Sequence, residues 1–83
     1  MEKIKFIKWY NEDEKGYINS KEDYKKLIAM INSADDSILV KIVMEDDTEE
    51  VLYLDGYNLM YDEDDYQALK KAVKSLIESG VIK

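Results

Sequence analysis

Hydrophobic positions recur with two different periods along the chain. In KIKFIKWY, residues 3 to 10, apolar side chains fall on alternate sides. Ile4 and Phe6 share one face of a predicted strand, and Ile7 and Trp9 share the other. A turn is expected through Asn11–Gly16, followed by a short extended piece, Tyr17-Ile18, that returns on the first strand. From Ser20 the period changes. The Ser20 hydroxyl can cap free backbone N–H groups, Asp23 three residues on completes a capping box, and Tyr24, Leu27, Ile28 and Ile31 form one apolar helical stripe. This helix is expected to stop near Asn32-Ser33.

The second half begins with SILVKIVME, residues 37 to 45, a β-branched apolar run that reads as a central strand. DDTEE is its turn and Val51–Leu54 its return. Asp55-Gly56 is a strong hairpin signal, since a type I′ turn needs positive φ at both central positions. In that register Leu54 faces Tyr57 and Leu52 faces Leu59, which makes Tyr57 to Tyr61 a third strand. Asp62 is expected to cap a second helix, with Asp65 completing its capping box. Tyr66, Leu69, Val73, Leu76 and Ile77 form the stripe, with Ala72 beside it. Gly80 supplies the left-handed residue that ends the helix, letting Val81 and Ile82 fold back. The predicted fold is α+β: an antiparallel β-sheet with two helices packed on one face, order ββα-βββα, in a single domain spanning residues 1–83.

Composition narrows the chemistry. The chain carries 19 acidic and 12 basic residues for a net charge of −7, with no histidine or cysteine, and every basic residue is a lysine. Without cysteine there is no disulfide, zinc thiolate or thiol nucleophile. Without histidine the usual general base and commonest transition-metal ligand are absent. Without arginine there is no bidentate phosphate fork. Paired carboxylates need a cleft that a two-layer domain of this size hardly accommodates, and no Ser–Lys pair is marked out. The expectation is a protein that is not an enzyme and needs no cofactor. Lysines interrupt the N-terminal MEKIKFIKWY every two or three residues, unlike a secretory signal, and no apolar run approaches the roughly 20 residues of a membrane span. A cytoplasmic location is expected.

Residues 11–22, NEDEKGYINSKE, have the rhythm of a calcium-binding loop. An EF-hand takes ligands from positions 1, 3, 5, 7, 9 and 12, with glycine at 6. Those positions are Asn11, Asp13, Lys15, the Tyr17 carbonyl, Asn19 and Glu22, with Gly16 in place and Ile18 at the apolar position. GYINSKE resembles the loop-helix half of the dockerin family, which implies a calcium loop leading into a helix. Lys15 departs from that pattern, because an ammonium repels the ion. Asn11 is neutral where aspartate is usual, the segment before the loop alternates like a strand, and no second loop pairs with it. The expectation is a turn and a capped helix rather than a metal site, with Asn11, Asp13, Tyr17, Asn19 and Glu22 as the only weak ligand set.

The middle of the chain, helix, three strands, helix, is similar in order to the double-stranded-RNA-binding domain. That fold grips phosphate with lysines at its second helix, where this chain has Asp62, Glu63, Asp64 and Asp65. Direct nucleic-acid binding is therefore not expected. The acids instead collect in clusters: Glu12, Asp13 and Glu14; Glu45, Asp46, Asp47, Glu49 and Glu50; and Asp62 to Asp65. Acids at helix starts suit the dipole, but five acids in the six residues EDDTEE exceed what a turn needs. A row of carboxylates can imitate a phosphate backbone and steer onto a basic site. Seven tyrosines and one tryptophan add candidate anchors. Ile7, Trp9, Val51 and Tyr53 are expected on the sheet face opposite the helices, as a partner contact or a homodimer interface.

Small size, strong acidity and missing catalytic equipment together resemble the inhibitors that phages and mobile elements encode, such as anti-CRISPR proteins and DNA-mimic anti-restriction proteins. This is a likeness of class, carried by no family motif. It implies a non-catalytic inhibitor that occludes a basic nucleic-acid-binding site on a nuclease or defence complex, using the three acid clusters with Trp9 and Tyr53. The alternative is a general interaction module, such as a small subunit, an adaptor or an antitoxin-like partner, bound through the aromatic sheet face. A calcium-binding domain is the minor alternative. No membrane partner is expected.

Overall fold

The computed structural model describes residues 3–33 and 36–82. Four strands, β1 (Ile4–Asn11), β2 (Glu14–Tyr17), β3 (Ile38–Met44) and β4 (Glu49–Leu54), form one antiparallel sheet in the order β2-β1-β3-β4. The helices are α1 (Lys21–Ser33), a single short turn α2 (Gly56–Met60), and α3 (Asp64–Glu78). The expected α+β class is observed: an antiparallel sheet with its helices gathered over one face.

Pairing explains which side is covered. Ile7 sits opposite Ile42 and Trp9 opposite Val40, while Val40 also faces Leu52 and Ile38 faces Leu54. These side chains meet Leu27 and Ile31 of α1 and Leu69, Val73 and Leu76 of α3 in one core. Each fully buried aliphatic side chain is worth roughly 1.5–3 kcal/mol, so the inward phase of β1 is strongly chosen. That phase is opposite to the expected one. Ile7 is fully buried and Trp9 packs against the core, on the helix side rather than the outer side. The register shifts between Ile4 and Phe6, and this bulge brings Ile4 to the core as well. Phe6 is left on the outer face.

Tyr57 to Tyr61 is not a third strand. Asp55 accepts a hydrogen bond from the Asn58 backbone N–H at 2.9 Å, and the Asn58 side chain accepts from the Asp55 N–H at 3.1 Å. This reciprocal capping box makes Asp55 the N-cap of α2 and Gly56 its first residue, not the centre of a type I′ turn. The expected pairs Leu54–Tyr57 and Leu52–Leu59 are therefore absent; Leu54 and Leu52 pair only with β3.

The helix ends follow local chemistry. The Ser20 hydroxyl accepts from the Asp23 N–H, while Asp23 reaches back to the Asn19 N–H, one residue before the cap. α3 is capped differently from expectation. Glu63 is its N-cap without a side-chain bond, and Asp62 lies one residue earlier, at φ 51. Asp62 ends α2: its N–H bonds the Leu59 carbonyl, and the next N–H, of Glu63, bonds the Asn58 carbonyl. Gly80 ends α3 the same way at φ 80, with Gly80 N–H to Ile77 and Val81 N–H to Leu76. Ile82 then folds back into the core.

Candidate protein-binding surface

The β3–β4 hairpin tip holds the densest acids, and the fold gives two of them local work. The Met44 carbonyl accepts from Asp47 N–H, and the Met44 N–H bonds Thr48. This geometry needs a left-handed residue before the return strand, and Asp47 supplies it at φ 71. Aspartate tolerates that region better than most residues. Asp47 also pairs with Lys5 at 3.0 Å. The Asp46 carboxylate accepts both the Thr48 N–H at 3.0 Å and its hydroxyl at 2.6 Å, closing the turn. Part of the acid density that the sequence left unexplained is thus turn chemistry. Glu49 approaches Lys41 at 3.9 Å on the outer face. Glu45 and Glu50 make no ion pair among the described residues.

The second cluster joins the first along the β4 edge. Asp65, expected as a capping-box residue, instead accepts the outward Tyr53 N–H at 3.2 Å. Glu50 and Asp64 line one groove with Ile42 and Lys71. Asp62 pairs with Lys70 at 3.0 Å. Glu63 and Asp64 are exposed at the start of α3, where its dipole favours them. Two acid groups separated in sequence therefore form one stripe: hairpin tip, β4 edge, α3 start. At a rise of about 3.4 Å per residue, β4 spans about 17 Å, with Glu49 and Glu50 at its start and the Asp65 contact at Tyr53 near its end.

Glu12, Asp13 and Glu14 do not belong to it. They sit at the β1–β2 turn, beyond the opposite edge strand, at the end of the sheet where β3 begins. The structure places them diagonally across from the β3–β4 tip. Trp9 is removed from the contact surface by its helix-side position. Its indole lies over Gly16, its pairing partner in β2, so closely that a Cβ there would come within 2.6 Å of the ring.

The candidate calcium ligands do not converge. Asn11 and Tyr17 lie in opposite strands of the β1–β2 hairpin, and Gly16 is a strand residue covered by Trp9. Asn11 donates to the Met30 sulfur, and Glu22 pairs with Lys25. Among the described residues no group of three or more acids could hold a metal ion. The loop rhythm is that of a hairpin and a helix cap.

The outer sheet face carries Phe6, which the expected phase of β1 turns inward. Phe6 and Tyr10 of β1 share this side with Tyr17 of β2, Leu39 and Lys41 of β3, and Val51 and Tyr53 of β4. Phe6 meets Tyr17 edge to face at 5.6 Å. Lys8 lies 5.8 Å from both the Phe6 and Tyr10 ring centres. A hydrogen bond to Tyr10 holds the Lys8 ammonium above its ordinary pKa. Tyr53 and Val51 are exposed here, as expected. The signal that places Phe6, Lys8 and Tyr10 together is the same alternation, with the opposite face turned inward.

Comparison with known protein families, with characterised proteins and with solved structures returns no significant match.

Proposed function

We propose that this chain is a non-catalytic acidic binding protein that occupies a basic, nucleic-acid-binding site on a partner, in the manner of anti-CRISPR and DNA-mimic anti-restriction proteins. The observation that carries this reading is the junction of two acid clusters along β4, sealed by Asp65 on the Tyr53 N–H. Duplex DNA presents about one phosphate per 3.4 Å on each strand. The β4 stretch therefore spans the length of about five phosphates of one strand, with carboxylates at its two ends: Glu49 and Glu50 next to the tip, and Asp65 at Tyr53. Such a row attracts a cationic groove over a distance and speeds encounter. The contact is narrower than the composition implied: it uses residues 45–50 and 62–65, without Glu12, Asp13, Glu14 or Trp9. The protein works inside the cell, in keeping with helices none of which, among the described residues, is long and apolar enough to cross a membrane.

The test spares the acids that build the turn and the strand edge. Glu50→Lys, Glu63→Lys and Asp64→Lys together reverse charge in both clusters and leave Asp46, Asp47 and Asp65 in place. Partners captured from the native host at low salt should be nucleic-acid-binding proteins, released by salt and by duplex DNA, and lost by the triple variant. Capture that survives both high salt and the triple variant would overturn the reading.

A second reading rests on the uncovered sheet face, where Tyr53 is 60% and Tyr17 52% exposed. A partner there, or a second copy of this chain, would bind through apolar contacts that salt hardly affects. Tyr17→Ala with Tyr53→Ala would break that contact and leave the acidic stripe untouched.

A further inference from the structure

An apolar concavity lies between α1 and α3. Its apolar lining is Tyr24, Val73 and Ile77, and its volume is about 620 Å³. Its walls carry Lys21 and Lys25 from α1, and Lys70 and Lys74 from α3, with Glu78 at one end. In a chain of net charge −7, four ammonium groups thus surround one apolar trough. The ion pairs these lysines make are weakly held. Lys25–Glu22 spans 3.6 Å and Lys74–Glu78 spans 3.9 Å, each within one exposed helix face. Pairs of that kind are worth only a few tenths of a kcal/mol. Lys70 is held more firmly, by Asp62 at 3.0 Å and by the Tyr66 ring at 4.6 Å. Lys21 makes no ion pair among the described residues.

We infer that this trough receives an acidic amphipathic helix of a partner protein. The spacing matches the pitch of a helix. Lys21 and Lys25 are one turn apart, as are Lys70 and Lys74, so each wall is a ladder with rungs about 5–6 Å apart. An occupant helix repeats its own flanking carboxylates at the same pitch, while its apolar stripe lies on Tyr24, Val73 and Ile77. A fatty acid, with one carboxylate, meets a single rung. Lys70 to Glu78 extends about 12 Å, which accommodates two turns of the occupant. This surface adjoins the acidic stripe where Lys70 pairs with Asp62, whereas Lys21, Lys25 and Lys74 make no pair with a stripe acid among the described residues, so one chain can hold a basic partner on its β4 edge and an acidic helix between α1 and α3.

The probe is a synthetic helical peptide with leucines at i, i+3, i+4 and i+7, flanked on both sides by glutamates, added to isotope-labelled protein and followed by amide NMR. The expected result is binding that weakens with salt and shifts amides of residues 21–25 and 70–78. Affinity should fall by roughly tenfold or more in Lys21→Glu/Lys74→Glu, and by less in Lys21→Gln/Lys74→Gln. Both positions are exposed, so the folded spectrum should persist. The Glu50/Glu63/Asp64 charge-reversed variant should bind the peptide normally, which separates this proposal from the stripe reading. Equal affinity in the lysine variants would overturn it. So would equal binding of a scrambled peptide, shifts on the outer sheet face instead, or occupancy by dodecanoate where the peptide fails to bind.

Discussion

Trp9 and Gly16 face one another across β1 and β2, and the indole occupies the space a side chain at Gly16 would need, with three ring atoms 2.6–2.8 Å from a Cβ built there. Glycine is required at this point by crowding, since no positive φ accompanies it. Gly16→Ala is expected to cost about 1–3 kcal/mol by overpacking. In a Trp9→Leu background the same change should cost much less. Urea denaturation of the four proteins of this cycle measures the coupling; two equal costs would mean that the ring does not govern the site.

The capping box of α2 yields a second expectation. Asp55 and Asn58 satisfy each other's backbone N–H groups. Asp55→Ala should destabilise the protein by about 1 kcal/mol, and amide exchange should speed at Asn58 before it does in the core. A neutral outcome would show that α2 persists through packing alone.

Tyr24 gives a pH signature. Burial, with help from the charge of neighbouring Tyr66 and a hydrogen bond to it, pushes its hydroxyl from 10.0 up to about 12. The raised pKa means that the folded state favours the neutral phenol. Its contribution to stability is complete below pH 10, where both states are protonated. That contribution declines as the unfolded chain ionises and is gone once pH passes about 12. Tyr24→Phe should flatten this alkaline decline. A spectrophotometric titration in which all seven tyrosines ionise together near pH 10 would contradict the assignment.

Calcium should leave the thermal midpoint where it is. An ion that binds only the folded state must raise it. With Asn11 and Tyr17 on opposite hairpin strands, residues 11–22 make no ligand cage. A rise with calcium that a chelator reverses would reinstate the loop.

Much of the architecture was readable from local chemistry. Ser20 and Asp23 announced α1, Gly80 ended α3, and the β-branched run after Ser37 became the central β3. The failures share a cause: two structures satisfied the same local pattern. Asp55-Gly56 suits a type I′ turn, but Asn58 at the third helical position lets Asp55 cap a helix, and YNLMY contains no β-branched residue to resist it. In β1 both faces are apolar, so alternation alone cannot choose an inward side. The bulge after Ile4 and the glycine under Trp9 decide it. The acidic stripe was half legible. Each cluster stands out in the chain, but the hydrogen bond from Tyr53 to Asp65 joins elements that share no local signal. Only the folded arrangement divides the acids into a joined pair and an outlier.

The sheet has two open margins, and each discourages a neighbour. β2 is only four residues long and has exposed charges at Glu14 and Lys15. On β4 the Tyr53 donor is already occupied by Asp65, with Glu49 and Glu50 at the start of the strand. A growing fibril needs a long bare donor row to copy itself onto; β2 offers only a short, charged one, and the row on β4 is interrupted at Tyr53. Concentrated solutions should therefore stay dispersed at neutral pH, and acidification, which discharges the carboxylates, is the condition under which filaments would begin to form.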